Sequence, residues 1–146
     1  MAAPANRLQR WLDDPRLAYV GRLLAIGAVL AADLPWGDFH AHTHWRTVGW
    51  IPFVTPPVRA ADILENIVLF LPLGFFAGLR ARSLPRALQK GVLLAFPASL
   101  LGEWSQLYSH SRFPSATDVS SNLIGAILGA ALAWFAWPGR DRVERL

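Results

Sequence analysis

An all-α membrane protein, with four helices packed as a transmembrane bundle, is the fold class this sequence predicts, and three observations predict it. Four apolar stretches, Leu17–Leu34, Ile63–Leu79, Gly91–Tyr108 and Val119–Trp137, each approach the about 20 residues that carry a helix across a hydrocarbon core roughly 30 Å thick. Hydrophobic residues make up 53% of the 146 and charged residues only 16%, and the short connections leave no room for a separate soluble core. Basic residues also alternate in side. Ten fall in the lead-in, the second-to-third connection and the C-terminal tail, against three in the other two connections. Because positively charged loops stay cytoplasmic, both termini are expected on the cytoplasmic side of a multi-pass protein of the cell inner membrane. The expected organisation is a cytoplasmic basic lead-in over 1–16, a four-helix membrane domain over 17–137 and a cytoplasmic tail over 138–146.

The lead-in carries Arg7, Arg10, Arg16 and Trp11, a basic amphipathic pattern suited to a membrane surface. In the first span Arg22 stands about a turn inside, from where its stem can reach back to the headgroups. Val29-Leu30-Ala31 resembles a leader cleavage site, but the length of Leu17–Leu34 favours a retained anchor. The second span bears Gly74 and Gly78, and the fourth Ser121, Gly125, Gly129 and Ala133, four residues apart. Such stripes let two helix backbones approach closely. Pro72 and Pro97 fall inside the second and third spans and are expected to kink them. Trp36, Trp45, Trp50 and Trp104 fall at the outer ends, and Trp134 and Trp137 at the inner end of the last span, all expected as interfacial anchors.

The formal charge of +4 and a pI near 10.6 would suggest nucleic acid in a soluble chain. Here the basic residues flank apolar spans, where anionic headgroups lie, so lipids are the expected partners and nucleic acid is not. The chain has no cysteine, which excludes disulfides, thiol catalysis and thiolate-bound metals.

The residues that could carry chemistry sit at the outer ends of the spans. Asp62-Ile-Leu-Glu65-Asn66 and Asp118-Val-Ser-Ser-Asn122 both read Asp-x-x-x-Asn before an apolar run, on two helices that run in the same direction. At i and i+4 each pair shares a face, and each Asp also suits an N-cap. Glu103 and Gln106 end the third span on one face. A carboxylate at that depth needs a partner or water, and Arg112 in the following loop is the nearest basic residue. Together Asp62, Asn66, Glu103, Gln106, Arg112, Asp118 and Asn122 are expected to form an outward-facing polar pocket, the alternative being caps and structural ion pairs.

Asp62-x-x-x-Asn66-Ile-Val-Leu-Phe-Leu-Pro72-Leu-Gly74, Gly102-Glu103-x-x-Gln106, Arg112 and Asp118-x-x-x-Asn122-Leu-Ile-Gly125 with Gly129, in this order, resemble the VanZ-like family of small membrane proteins. The likeness runs from about Asp62 to Ala133 and does not reach the first 61 residues. It implies a multi-span helical membrane protein in a cell-envelope setting, since the family takes its name from a member associated with low-level resistance to the glycopeptide antibiotic teicoplanin. It transfers no catalytic roles.

Outside that resemblance, Asp38-Phe-His40-Ala-His42-Thr-His44 places three imidazoles on one side of an extended segment, a partial zinc or copper site at His40, His42 and His44 with His110 on the same side of the membrane. An interfacial loop is the plainer reading, and otherwise no cofactor is expected. The leading functional expectation is a protein that binds a lipid-linked or envelope-precursor headgroup, with Asn66, Gln106 and Asn122 offering neutral hydrogen bonds and Arg112 gripping an anionic group. A hydrolase or transferase on such a substrate would use the same cluster, with Glu103 as general base, Arg112 or a metal stabilising developing charge and Asp118 as a further catalytic candidate. An assembly protein would use it only to lock helices, its small-residue stripes joining protomers in a homo-oligomer.

Overall fold

The computed structural model describes residues 7–54 and 58–137. The expected tail, with Arg140, Arg142 and Arg145, and the first six residues of the lead-in lie outside the described residues. Within them the chain forms five helices and no strand: α1 (Arg7–Leu12), α2 (Pro15–Asp33), α3 (Ala60–Gly78), α4 (Leu84–Gln106) and α5 (Ala116–Ala136). Of these, α2, α3 and α5 are long and apolar enough to cross a membrane. The third expected span differs most. Its helix has 23 residues, starting at Leu84 and ending at Gln106, so it takes in Arg86 and Lys90 at one end and Glu103 and Gln106 at the other.

Local signals place the helix starts. Asp14 accepts the Arg16 N–H at 2.9 Å with Pro15 following, and Ser83 and Ser115 cap α4 and α5 through Arg86 N and Thr117 N. Asp62 and Asp118, expected as cap candidates, are not caps. The helices begin at Ala60 and Ala116, which puts each Asp in the first turn, where its charge still faces the positive end of the helix dipole. The helices run on through Pro72 and Pro97, both exposed.

Packing centres on α3 and α5. A Cβ on Gly74 would overlap the Ala126 carbonyl, one on Gly125 the Ile67 carbonyl and one on Gly129 the Leu71 carbonyl, while one on Gly78 would stand 2.8 Å from Ala130 Cα. Residue numbers rise together across this contact, so the two helices are parallel and close enough for backbone to touch backbone. Helix α4 lies antiparallel to α5: Gly91 meets Ala130, Ser99 meets Asn122 and Glu103 meets Ser115. Helix α2 closes the other side, Val29 packing with Phe70, Leu73, Ala95 and Ala126 in the main core. Leu23, Leu24, Val68, Leu93, Leu101, Leu128 and Leu132 face outward and are exposed, an apolar exterior suited to acyl chains.

The two ends differ in charge. At one, Arg10, Arg16, Arg80, Arg82, Arg86 and Lys90 surround the start of α2 and the α3–α4 turn, which we call the basic end. Arg22 turns towards it, Nε donating to the Ala18 carbonyl at 2.9 Å. Trp134 and Trp137 correct the expectation of interfacial anchors: they are 5% and 9% exposed, Trp134 among Ala81, Leu84 and Ala87, Trp137 against Leu12 and Leu79 with Nε1 on Asp13 at 3.0 Å. The α1 turn and the α3–α4 connection fold over the helix ends and take the rings as filling. The opposite, acidic end carries Asp33, Asp62, Glu65, Glu103 and Asp118.

Candidate functional site: a polar cleft beside an apolar groove

A cleft of about 350 Å³ opens at the acidic end, between the last turns of α2 and α4 and the first turns of α3 and α5. Asp62, Asn66, Glu103, Gln106, Arg112 and Asp118 line it, joined by Asp33, Glu65, Ser111 and Phe113. Asp62 and Asp118 occupy equivalent first-turn positions on two parallel helices, so the two matched motifs arrive at one level, and the Asn66 amide lies beside the Asp118 carboxylate. Of the four lining residues that sequence reasoning did not assign to the pocket, Asp33 is the buried one. Its signal was an acid ending the first apolar stretch, and Gly102 leaves room for it, since a Cβ there would stand 3.1 Å from Asp33 Cβ.

Asn122 is not part of the cleft. It is buried between α4 and α5, its Nδ2 donating to Ser99 Oγ at 2.9 Å. Four residues advance a helix by about 6 Å and slightly more than a full turn, which carries Asn122 deeper than Asp118 and round to the α4 contact. Its Oδ1 and the Ser121 hydroxyl have no hydrogen-bond partner among the described residues.

Arg112, the nearest basic residue to Glu103 in the sequence, makes no ion pair within 4.0 Å among the described residues. Its Nη1 donates to the carbonyls of Ala32 and Asp33, at 2.8 and 3.2 Å, and Gln106 Nε2 adds a bond to the Asp33 carbonyl at 3.3 Å. The guanidinium thus caps the C-terminal carbonyls of α2, where a positive charge is favoured, and keeps donors free at the rim. Glu103 is 9% exposed, and its Oε2 accepts the backbone N–H of Ser115 at 2.6 Å.

Glu103 also lines a second space, an apolar groove of about 470 Å³ walled by Trp45, Trp50, Leu100, Trp104, Leu107, Pro114 and Val119. One side of α4 near its end therefore meets the polar cleft and the other the groove, with the carboxylate at the divide.

The histidines cluster above the end of α4. Backbone bonds from His40 N to Tyr108 O and from His44 N to Leu107 O, at 2.8 and 2.9 Å, lay the 38–44 segment along the α4–α5 loop. Asp38 Oδ2 accepts from Ser109 Oγ, Ser111 Oγ, Ser111 N and His110 N. These bonds hold its carboxyl well below the usual carboxylate range. The expected set His40, His42 and His44 is rearranged: His40 Nε2 is 2.9 Å from Asp38 Oδ1, and the ligand atoms of His42, His44 and His110 are the ones that gather, within 4.8 Å of one another.

No curated protein and no solved structure matches the chain. Residues 18–137, most of its length, match the model of the VanZ/LLP1 family. With membrane-length apolar helices and an apolar exterior around that match, the chain belongs to the VanZ/LLP1 family and is a VanZ-like membrane protein.

Proposed function

We propose that this protein crosses the bacterial inner membrane four times with both termini in the cytoplasm, and that its acidic end binds the headgroup of a lipid-linked envelope precursor from the outer leaflet. The observation that carries the reading is the shared position of Glu103, on a polar cleft of about 350 Å³ and an apolar groove of about 470 Å³. An amphiphile needs such a pair of neighbouring surfaces, one for its head and one for its chain. The excess of basic residues at the other end supports the orientation.

The charge of the cleft narrows the headgroup. Five carboxylates, from Asp33, Asp62, Glu65, Glu103 and Asp118, face one guanidinium. Several phosphates in the cleft would meet like charge, so hydroxyl, amide or ammonium groups belong inside and a phosphate beside Arg112 at the rim. Binding is favoured over catalysis because one oxygen of Glu103, the candidate base, is committed to Ser115 N.

Native mass spectrometry of the protein extracted in membrane discs tests this. One amphiphile per chain is expected, lost in Arg112→Ala, which empties the rim, and in Val119→Trp, which fills the groove. A lipid profile unchanged in both folded variants would overturn the reading.

A further inference from the structure

We infer that His42, His44 and His110 form a binding site for a divalent transition-metal ion of the imidazole-preferring kind, zinc or copper(II). His42 and His110 bring their Nε2 atoms to 3.3 Å. That separation is the edge, about 3.3 Å, of a tetrahedron whose corners lie about 2.0–2.1 Å from a central zinc. His44 supplies the third nitrogen, all three lying within 4.8 Å, and its Nε2 is buried with no hydrogen-bond partner among the described residues. Buried ring nitrogens are rarely left unmet, and a metal ion would satisfy the whole set at once. A hydrogen bond between His42 and His110 would account for their approach but would leave His44 as it is.

The site is built from two chain segments that the surrounding bonds already fix. His44 N on Leu107 O holds one segment, and Asp38 Oδ2 grips Ser109, His110 and Ser111 of the other. The same Asp38 occupies His40 through Oδ1, which keeps that ring out of the ligand set and makes Asp38 a positioning residue. A site of three neutral imidazoles without carboxylate suits zinc or copper and not the oxygen-seeking calcium or magnesium.

A bound ion would join the α2–α3 connection to the α4–α5 loop, two residues from the Arg112 that lines the polar cleft. This site does not depend on what the cleft binds.

Calorimetric titration of the purified chain, free of any histidine tag, provides the test with Zn²⁺, Cu²⁺ and Ca²⁺ in separate runs. One Zn²⁺ or Cu²⁺ per chain and no Ca²⁺ is expected. His42→Ala, His44→Ala and His110→Ala should each weaken binding by more than about 100-fold, beyond the loss typical of an outer-shell change, and His40→Ala by less than about 10-fold. Thermal unfolding without metal checks that each variant is folded, and His110→Asn replaces His110→Ala if it is not. Absence of binding by both transition metals, equal binding of Ca²⁺, or affinity retained in the folded His110 variant would overturn the inference.

Discussion

Glu103 Oε2 and the backbone nitrogen of Ser115 stand 2.6 Å apart, so a carboxylate near the end of α4 holds the residue that caps α5. Ser115 also pairs with Gly49 across an isolated bridge, through Gly49 N to Pro114 O and Ala116 N to Gly49 O. One acid therefore anchors the α4–α5 loop and the long α2–α3 connection together, at the divide between cleft and groove.

Removing that anchor should cost about 1–3 kcal/mol, the range for a partly buried donor left without its acceptor. Glu103→Ala is expected to lose this amount and Glu103→Gln less than half of it, because the amide oxygen can still accept from Ser115 N. Denaturant unfolding in detergent, followed by tryptophan fluorescence, reads the difference.

The α3–α5 contact leaves no space for a side chain. Gly125→Val and Gly129→Val should each destabilise by about 3 kcal/mol or prevent assembly, at or above the usual overpacking range, because the obstruction is backbone that cannot rotate away. Gly27→Ala is the control. Nothing lies within 4 Å of its added Cβ, so helix propensity should leave it neutral or raise stability by up to about 1 kcal/mol. Thermal unfolding of the purified variants checks both.

Ser99→Ala leaves the buried Nδ2 of Asn122 without its acceptor. A loss of about 1 kcal/mol is expected, near the value for hydrogen bonds between membrane helices. Asn122→Leu in the Ser99→Ala background should recover part of it by removing the stranded amide and its partnerless Oδ1. A double-mutant cycle of unfolding free energies measures the coupling.

Without metal, His110 should titrate below its ordinary 6.5, chiefly because the packed rings desolvate it and then because His40, His44 and His42 repel its charge. The unfolded chain then binds this proton more tightly than the folded one. Stability from the neutral ring is complete above about 6.5 and is lost as pH falls from there through the lowered folded value. With chelator present, the unfolding midpoint should drop between pH 7.5 and 5.5, and the drop should shrink in His110→Asn.

Much of the helix layout was legible because length and apolarity are local properties. Leu17–Leu34 became α2 at Pro15–Asp33, and Val119–Trp137 became α5 at Ala116–Ala136, each within a few residues. The small-residue spacing of Gly74, Gly78, Gly125 and Gly129 marked the face on which α3 and α5 meet. Side-chain direction was harder to read. Asp118 and Asn122 share a helix face, yet one opens on the cleft and the other is sealed against Ser99.

By itself the sequence determined an all-helical chain with membrane-length apolar segments and acids at their ends, since hydropathy and periodicity depend only on neighbours along the chain. Tertiary structure alone decided that Arg112 would cap α2 and leave the cleft carboxylates without an ion pair among the described residues, and that Trp134 and Trp137 would be core. It also decided that His110 would stand with His42 and His44 while His40 turned to Asp38. Each of these outcomes joins residues tens of positions apart, and their pairing is fixed only when the helices pack and their connecting loops are drawn across one another.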